Sequence, residues 1–417
     1  MSFVGAHLFD IKRFIGSGCH SVVFEAVKKD GLDANTKYAL KRFFLDNQSA
    51  FRCVQRERRI LERLAKLDHQ CAFLPVLFYS FCQQGVFVFV LREGCGRDMY
   101  DLIRHTGSLS ESDARFYLCE IICALEHIHS LNIVHLDVKP ENVLCAFDGH
   151  TFLSDFDRSL DLSSIKGAPT ADDFTGTPLF MAPEIAKGEA ITIKADIWSL
   201  AVLAAEMLSG PIRPSALDVN EEFRQAREGR FTIKRLKTLT KPLQSFFSAC
   251  LQRQHAHRPD IHGVKRLRFL KFIDWDKVHS GALKPPYNPA DIRHRPAKED
   301  RFILSSTDPH LLSNAYSLTR MLALDPDHAK KVSDIGSSSV SDTHVFEIPS
   351  FLKGVSEGDF NNLMTQFYFV HPRLQTQITS VVSQSSYFHV QEAPRPLDSC
   401  MTEKIERRRS RTISMGD

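Results

Sequence analysis

Three side chains within six positions, Asp137, Lys139 and Asn142, lie in the run His135-Leu136-Asp137-Val138-Lys139-Pro140-Glu141-Asn142. A carboxylate at such a point orients a hydroxyl and takes its proton. An ammonium offsets negative charge on a group in transit, and a carboxamide oxygen ligates a hard metal ion. Transfer of a phosphoryl group to a hydroxyl calls for this combination, because that chemistry is mostly positioning and charge compensation. Further along, Asp155 and Asp157 flank Phe156, and upstream Gly16-Ser17-Gly18 supplies small residues that let backbone N–H groups approach an anion. Lys41 ends Tyr38-Ala39-Leu40-Lys41, and Glu57 follows it sixteen residues later. Taken singly, each has a plain reading. Two glycines make a turn, a strand lysine faces solvent, and Glu57 is a solvated charge among arginines.

The elements that must hold these groups are legible from periodicity. Residues 22–27 and 37–44 are rich in β-branched and aromatic side chains around the turn signal Asp30-Gly31. Gly85 to Leu91 is a continuous apolar run, as in a strand buried on both faces. Residues 51–67 read as a helix with Val54, Ile60, Leu61, Leu64 and Leu67 as the apolar stripe and Glu57 in its middle. From residue 94 helices dominate. Ser110-Glu111-Ser112-Asp113 looks like an N-cap with an acidic first turn, ahead of Leu118, Ile121, Ile122, Leu125 and Ile128. A second helix covers about 195–208 and stops at Ser209-Gly210-Pro211; a third covers 242–252. After residue 273 the pattern weakens, and 326–417 is expected to be largely disordered or loosely docked. Phe360 to Val370 is hydrophobic enough to pack on the body.

Of the 417 residues, 43% are hydrophobic and 25% charged, so most of the chain can bury a core. A net charge of +3 argues against nucleic-acid binding through a global field. No apolar run reaches the roughly 18 residues of a spanning helix, and Met1-Ser2-Phe3-Val4-Gly5 lacks the pattern of a signal peptide. The ten cysteines are scattered without a C-x-x-C pair. A disulfide framework or zinc site is not expected, and a reducing compartment is the default. The localisation expected is cytoplasmic, with a nuclear pool left open by the basic cluster near the C-terminus.

The run at 135–142 resembles the catalytic loop of protein kinases, usually H-R-D-L-K-P-E-N. Gly16-Ser17-Gly18-Cys19-His20-Ser21-Val22-Val23 resembles their glycine-rich loop, with Ser21 for the third glycine. Tyr38-Ala39-Leu40-Lys41 resembles V-A-I-K, and Asp155-Phe156-Asp157 resembles D-F-G, with Asp157 for the glycine. Gly176-Thr177-Pro178-Leu179-Phe180-Met181-Ala182-Pro183-Glu184 resembles the end of the activation segment. The order and intervals identify residues 9–272 as a member of the eukaryotic protein kinase family, of Ser/Thr type. The resemblance implies an α+β, bilobed fold: a small, mainly antiparallel β lobe with one key helix (about 9–92) and a larger, mainly α lobe (about 93–272).

It also implies roles. Asp137 orients the acceptor hydroxyl, Lys139 stabilises the moving group, and Lys41 with Glu57 positions phosphates. Asn142 and Asp155 hold Mg²⁺ (or Mn²⁺), and ATP lies against Ile15, Gly16, Gly18, Val23, Ala39, Lys41, Leu91, Asn142 and Asp155. Thr177 bonds near Asp137 and Lys139. Glu184 pairs with Arg258, and Asp196 accepts backbone N–H bonds from the catalytic loop.

Phe272-Ile273-Asp274-Trp275-Asp276-Lys277, followed by Pro285-Pro286-Tyr287-Asn288-Pro289, is similar to the start of the AGC-group C-terminal extension, taken here as 273–325. The F-x-x-F motif that ends typical extensions is not clearly spelled, and Phe367-Tyr368-Phe369 is a poor candidate for it. His-Leu-Asp also occurs in kinases similar to myosin light-chain kinases, which keeps that group open. AGC-like membership implies that Asp98 and Glu141 receive an arginine upstream of the target, so the expected partners are protein substrates with basic residues before Ser/Thr. Ser410, Thr412 and Ser414 each have Arg three positions before them and are candidate phosphosites. A solvated basic tail is the plain reading of that stretch.

Leu136 stands where most kinases have the Arg that grips an activation-loop phosphate. The position of the phosphorylated Thr holds Asp173, beside Asp172. An activation segment independent of phosphate at that position is expected, with Thr175 as the hydroxyl available nearby. The Leu136, Asp157 and Ser21 replacements leave a second reading open, a pseudokinase that acts as a scaffold.

Overall fold

A computed structural model describes residues 4–17, 21–43, 48–83, 86–164, 173–212, 218–231, 233, 238–292 and 365–375. The first part is an antiparallel sheet of β1 (Phe9–Ser17), β2 (Ser21–Lys28), β3 (Lys37–Phe43), β4 (Leu77–Gln83) and β5 (Val86–Leu91), with α1 (Gln48–Ala65) between β3 and β4. The strand order is β1-β2-β3-β5-β4.

Alternation along the strands sorts side chains onto two faces. Val22, Phe24, Tyr38, Leu40, Val88 and Val90 form one apolar cluster. On the other face Val23 pairs with Lys41, Ala39 with Leu91, and Lys41 with Phe89. The apolar stripe of α1 holds buried Val54, Ile60, Leu61 and Leu64, and its polar face keeps Arg56 and Arg63 partly exposed.

The second part is helical: α2 (Met99–Thr106), α3 (Glu111–Ser130), α4 (Pro183–Lys187), α5 (Lys194–Ser209), α6 (Val219–Glu228), α7 (Lys241–Cys250) and α8 (Ile261–Lys265). Ser110 caps α3, accepting the N–H of Asp113 as its spacing implies. Helix α5 is buried from Ala195 to Met207, so it is apolar all round because it runs through the core. Two short strand pairs, β6 (Ile133–Val134) with β9 (Leu160–Asp161) and β7 (Val143–Cys145) with β8 (Thr151–Leu153), hold the loops that carry the chemistry-bearing residues. The bilobed α+β arrangement expected from the sequence is the one found.

Glu184 and Arg258 form a buried bidentate pair, 2.6 Å at both contacts, that ties α4 to the turn before α8. Removing one partner of such a pair costs roughly 3–5 kcal/mol, which makes it structural. After residue 273 the chain forms α9 (Trp275–His279) and returns to the helical lobe: the Tyr287 hydroxyl donates to Asp113 Oδ2 of α3 at 3.2 Å, and Arg97 Nε, just before α2, donates to Ile292 O at 2.6 Å. Residues 293–325 lie outside the described residues.

Within 365–375 the tail packs on the body, as the hydrophobic stretch Phe360 to Val370 suggests. There β10 (Phe369–Val370) adds to β4 as a sixth, antiparallel strand. The ring of Phe367, the residue dismissed on motif spelling, packs against Phe87 and Phe89 at centroid distances of 4.7 and 5.6 Å. Its carbonyl accepts from Ser80 Oγ (2.6 Å) and from Arg58 Nε of α1 (3.1 Å). Docking here follows from burial of the ring and pairing of a sheet edge, neither of which a tetrapeptide signature reports. Replacing Phe367 with Ala should remove about 3 kcal/mol of packing and raise hydrogen exchange in β4. Urea denaturation with exchange mass spectrometry checks both; unchanged exchange in β4 would mean that the strand docks without that ring.

Candidate active site

The loop after β6 is fixed from beneath by one carboxylate. Asp196, fully buried near the start of α5, accepts the N–H of His135 (2.8 Å) and of Leu136 (2.9 Å) and lies 2.8 Å from His129 Nε2. Those bonds hold Leu136 in the left-handed region, φ 66°, which a bulky residue adopts only when its surroundings impose it. Leu136 is buried, so the residue that replaces arginine serves as core. Gly176 lies against it: at φ 145°, a Cβ there would come 2.7 Å from Leu136 O. A side chain at 176 would push the segment, and Thr177 with it, off the loop.

Asp137 then faces a set of donors. Lys139 Nζ is 2.6 Å from its Oδ2 and 3.0 Å from Thr177 Oγ1. Thr177 donates to Oδ1 through both its hydroxyl (2.7 Å) and its N–H (3.1 Å). Asn142 Nδ2 donates to the Asp137 carbonyl (2.8 Å) and to Oδ2 (3.0 Å). His135 supports the loop as a neutral ring. Its Nδ1 accepts the Asp137 N–H at 3.3 Å, and Nε2 faces Ser154 O at 3.1 Å, which needs the Nε2–H tautomer. Burial keeps its pKa below the ordinary imidazole value.

Across the cleft, Lys41 Nζ sits 2.8 and 2.9 Å from the Glu57 oxygens and 2.8 Å from Asp155 Oδ1. Burial disfavours the ammonium, but Asp155 and Glu57 outweigh it and raise the pKa of Lys41. Burial likewise works against the Asp155 carboxylate, and Lys41 holds it below the usual range. Phe156 is fully buried, 4.9 Å from the His135 ring, which anchors this turn under the loop. Asp155 itself takes φ 66°, whereas Asp157 is not among the left-handed residues. The glycine replacement therefore brings no strain at 157, contrary to the restriction its sequence implies. Burial, with Asp155 adding repulsion, pushes the Asp157 carboxyl up to about 6.

Two oxygens suit a hard cation. Asn142 uses its amide nitrogen for Asp137, which leaves its carbonyl oxygen, and Asp155 uses only Oδ1 for Lys41. Ser154 bonds Asn142 O through its N–H (2.8 Å) and hydroxyl (3.0 Å), so the two loops are fastened side by side. Among the described residues no group of three or more His, Cys, Asp or Glu could hold a metal ion. An all-oxygen pair that leaves further positions to phosphates and water fits Mg²⁺ or Mn²⁺.

Strand register puts Gly16 of β1 beside Val23, which pairs with Lys41, and Ala39 beside Leu91, on the face toward this cluster; Ile15 falls in the register shift just before Gly16. The space that a side chain would take at Gly16 is open. Gly18, Asp172, Ser410, Thr412 and Ser414 lie outside the described residues.

Asp98 is buried, and its Oδ1 accepts the Asp101 N–H (2.8 Å) as the cap of α2. One expectation changes. Thr175 is not an available hydroxyl: its Oγ1 is turned inward without a partner.

Sequence reasoning also missed residues. Glu206, on α5, has a buried Oε2 without a partner, as does Glu141. Burial, followed by repulsion from Glu141, raises the Glu206 carboxyl to about 7. The signal was present, a carboxylate near the end of an apolar helix. Arg56 lies on the polar face of α1, yet its Nη2 bonds Asp173 Oδ1 at 2.8 Å. Arg63 Nη1 reaches Asp161 Oδ2 at 2.6 Å.

Fold and site together define a two-lobed phosphoryl-transfer domain. The chain belongs to the protein kinase domain family, whose match covers residues 9–270. It is similar to ribosomal protein S6 kinase alpha-6 of Mus musculus, with 33% identity over 285 residues, 68% of this chain and 36% of that protein. Putative ribosomal protein S6 kinase alpha-1 of Caenorhabditis elegans is 33% identical over 289 residues, 68% of this chain and 36% of its own length. Ribosomal protein S6 kinase alpha-3 of Homo sapiens is 29% identical over 346 residues, 79% of this chain and 46% of its own length. The chain thus spans less than half the length of these relatives.

Proposed function

We propose that this chain is an ATP-dependent protein serine/threonine kinase of the AGC group, with a preference for arginine upstream of the acceptor. We further propose that a fixed carboxylate orders its activation segment where relatives use phosphate. The observation that carries the reading is the shared Asp137 carboxylate, held by Lys139, Thr177 and Asn142 opposite an intact Lys41–Glu57–Asp155 cluster. Asp137 orients the Ser/Thr hydroxyl and accepts its proton, and Lys139 offsets charge on the phosphoryl group as it moves. Lys41, held by Glu57, engages the α- and β-phosphates. Asp155 and Asn142 would hold Mg²⁺, which when bound would supply charge neutralisation on the phosphate oxygens.

Glu141, expected with Asp98 to receive the arginine, and Glu206 support the arginine preference. Two carboxylates with unpartnered buried oxygens, close enough for one to raise the pKa of the other, form a site that a guanidinium completes. The Arg56–Asp173 bond supports phosphate independence: it fastens the activation segment to α1 one residue from Glu57 with a charge always present. A carboxylate carries one negative charge where phosphothreonine carries about 1.5–2, but Leu136 has also removed one of the cations that the larger charge would engage.

Asp137→Asn should lower phosphate incorporation into an Arg-containing peptide by about a thousandfold or more, measured with radiolabelled ATP. Equal incorporation by wild type and variant would leave the scaffold reading standing. Because Glu206 binds a cation only when ionised, and its carboxyl titrates near 7, KM for that peptide should fall as pH rises from 6 to 8. Glu206→Gln should flatten the profile and raise KM at pH 8 by about tenfold, in line with a charged hydrogen bond worth about 1.5–3 kcal/mol. Phosphatase treatment should leave activity unchanged, whereas Arg56→Ala should reduce kcat. Loss of activity on dephosphorylation, with phosphate mapped to Thr175, would overturn the fixed-charge arrangement.

A further inference from the structure

The helical lobe carries a strongly basic concavity that the chemistry above does not use. A cavity of about 490 Å³ is lined by Pro183 and Lys187 of α4, by Arg227 and Glu228 of α6, and by Arg230 and Arg253. Four cations surround one anion, and that anion is occupied: Arg224 lies 3.0 Å from one Glu228 oxygen and Arg230 2.5 Å from the other. Arg227 donates through Nε to Ala186 O at 3.2 Å, and neither Arg227 nor Arg253 has a carboxylate partner among the described residues. Lys187 has only a 3.6 Å contact with exposed Glu189.

The turn after α6 shapes the floor. Gly229 ends that helix at φ 59°, and the N–H groups of Gly229 and Arg230 return to Ala226 O and Gln225 O at 3.0 and 2.9 Å. A Cβ at 229 would lie 3.0 Å from both Arg253 Cγ and Pro183 Cγ. The left-handed turn thus packs the Arg253 stem against the start of α4 and leaves room between the charges.

The cavity also lies close to the acceptor position. Helix α4 directly follows the segment in which Thr177 rests on Asp137. The six residues from Thr177 to Pro183 span at most about 20 Å. Glu141 and Glu206 take the upstream side of a bound peptide, so the path through 177–183 serves the downstream side. The geometry points to a docking groove for an acidic segment of the protein substrate, carried roughly six extended residues downstream of the phosphorylated hydroxyl. This rests on the kinase reading. Guanidinium forks take carboxylates bidentately. The groove is open to water, so its contribution is to capture and KM, is salt-sensitive, and leaves the chemical step unchanged.

Two peptides test it, both with arginine upstream of one serine. One ends shortly after the serine, and the other continues through a neutral six-residue spacer into a run of aspartates. At low salt the extended peptide should show a KM about tenfold lower with equal kcat, an advantage that shrinks as salt rises. Arg227→Glu combined with Arg253→Glu should erase the advantage and leave kinetics on the short peptide unchanged, which also reports that the variant is folded. Equal KM values for the two peptides with wild type, or an equal loss on both with the variant, would overturn the groove. If wild type phosphorylates neither, the kinase reading has failed. Fluorescence anisotropy of the extended peptide then decides the groove: binding lost in the double variant keeps it, and no binding removes it.

Discussion

One buried carboxylate carries the geometry of the site. Asp196 presents acceptors to two consecutive backbone N–H groups and to His129, and those bonds pay for a left-handed leucine in the middle of a loop. That conformation is uphill by roughly 1–3 kcal/mol for a non-glycine residue, so it persists only while Asp196 enforces it. The rest follows in sequence. The bend at Leu136 turns Asp137 into the cleft, places Leu136 O against Gly176, and so sets where Thr177 meets Asp137. Helix α5, which carries Asp196, is buried nearly throughout because it supplies the fixed reference for the loop.

The two lobes meet through α1. Along one helix Arg56, Glu57 and Arg63 reach Asp173, Lys41 and Asp161. Two of these partners, Asp161 and Asp173, follow the Asp155-Phe156-Asp157 turn, and the third is the buried lysine of β3. A helix held at both its middle and its C-terminal end by charge pairs has little freedom to swing outward and carry Glu57 off Lys41. The pairs with Asp173 and Asp161 are partly exposed, so each alone contributes modestly. Their effect lies in fixing orientation.

Local motifs were legible because their chemistry is local. Asp137, Lys139 and Asn142 act from one short loop, and the spacing that named them is the spacing that brings them together. Lys41 and Glu57 were legible for a related reason: a strand followed by a helix of predictable length returns Glu57 to Lys41. What sequence missed depends on long-range placement. Asp98 has the residue type expected of an arginine acceptor, and only the fold shows that one of its oxygens also caps α2. Glu206 lies four residues beyond Val202 in an apolar helix, and only the packed lobe sets it near Glu141. Whether Thr175 faces water is decided by the fold of the segment around it. Phe367 was judged by spelling, whereas its docking is decided by a ring-sized gap between Phe87, Phe89 and Arg58.

The sixth strand has a consequence for how the chain comes to be folded. Strand β4 ends at Gln83, but the strand that completes its edge begins at Phe369, so everything between them must be made before the sheet is closed. During synthesis the β4 edge and the rings of Phe87 and Phe89 wait uncovered, a state prone to pairing with other chains. Any cleavage between the helical lobe and residue 365 would recreate that open edge in the mature protein. Because it belongs to the same chain, the closing strand stays at high local concentration near the edge it completes.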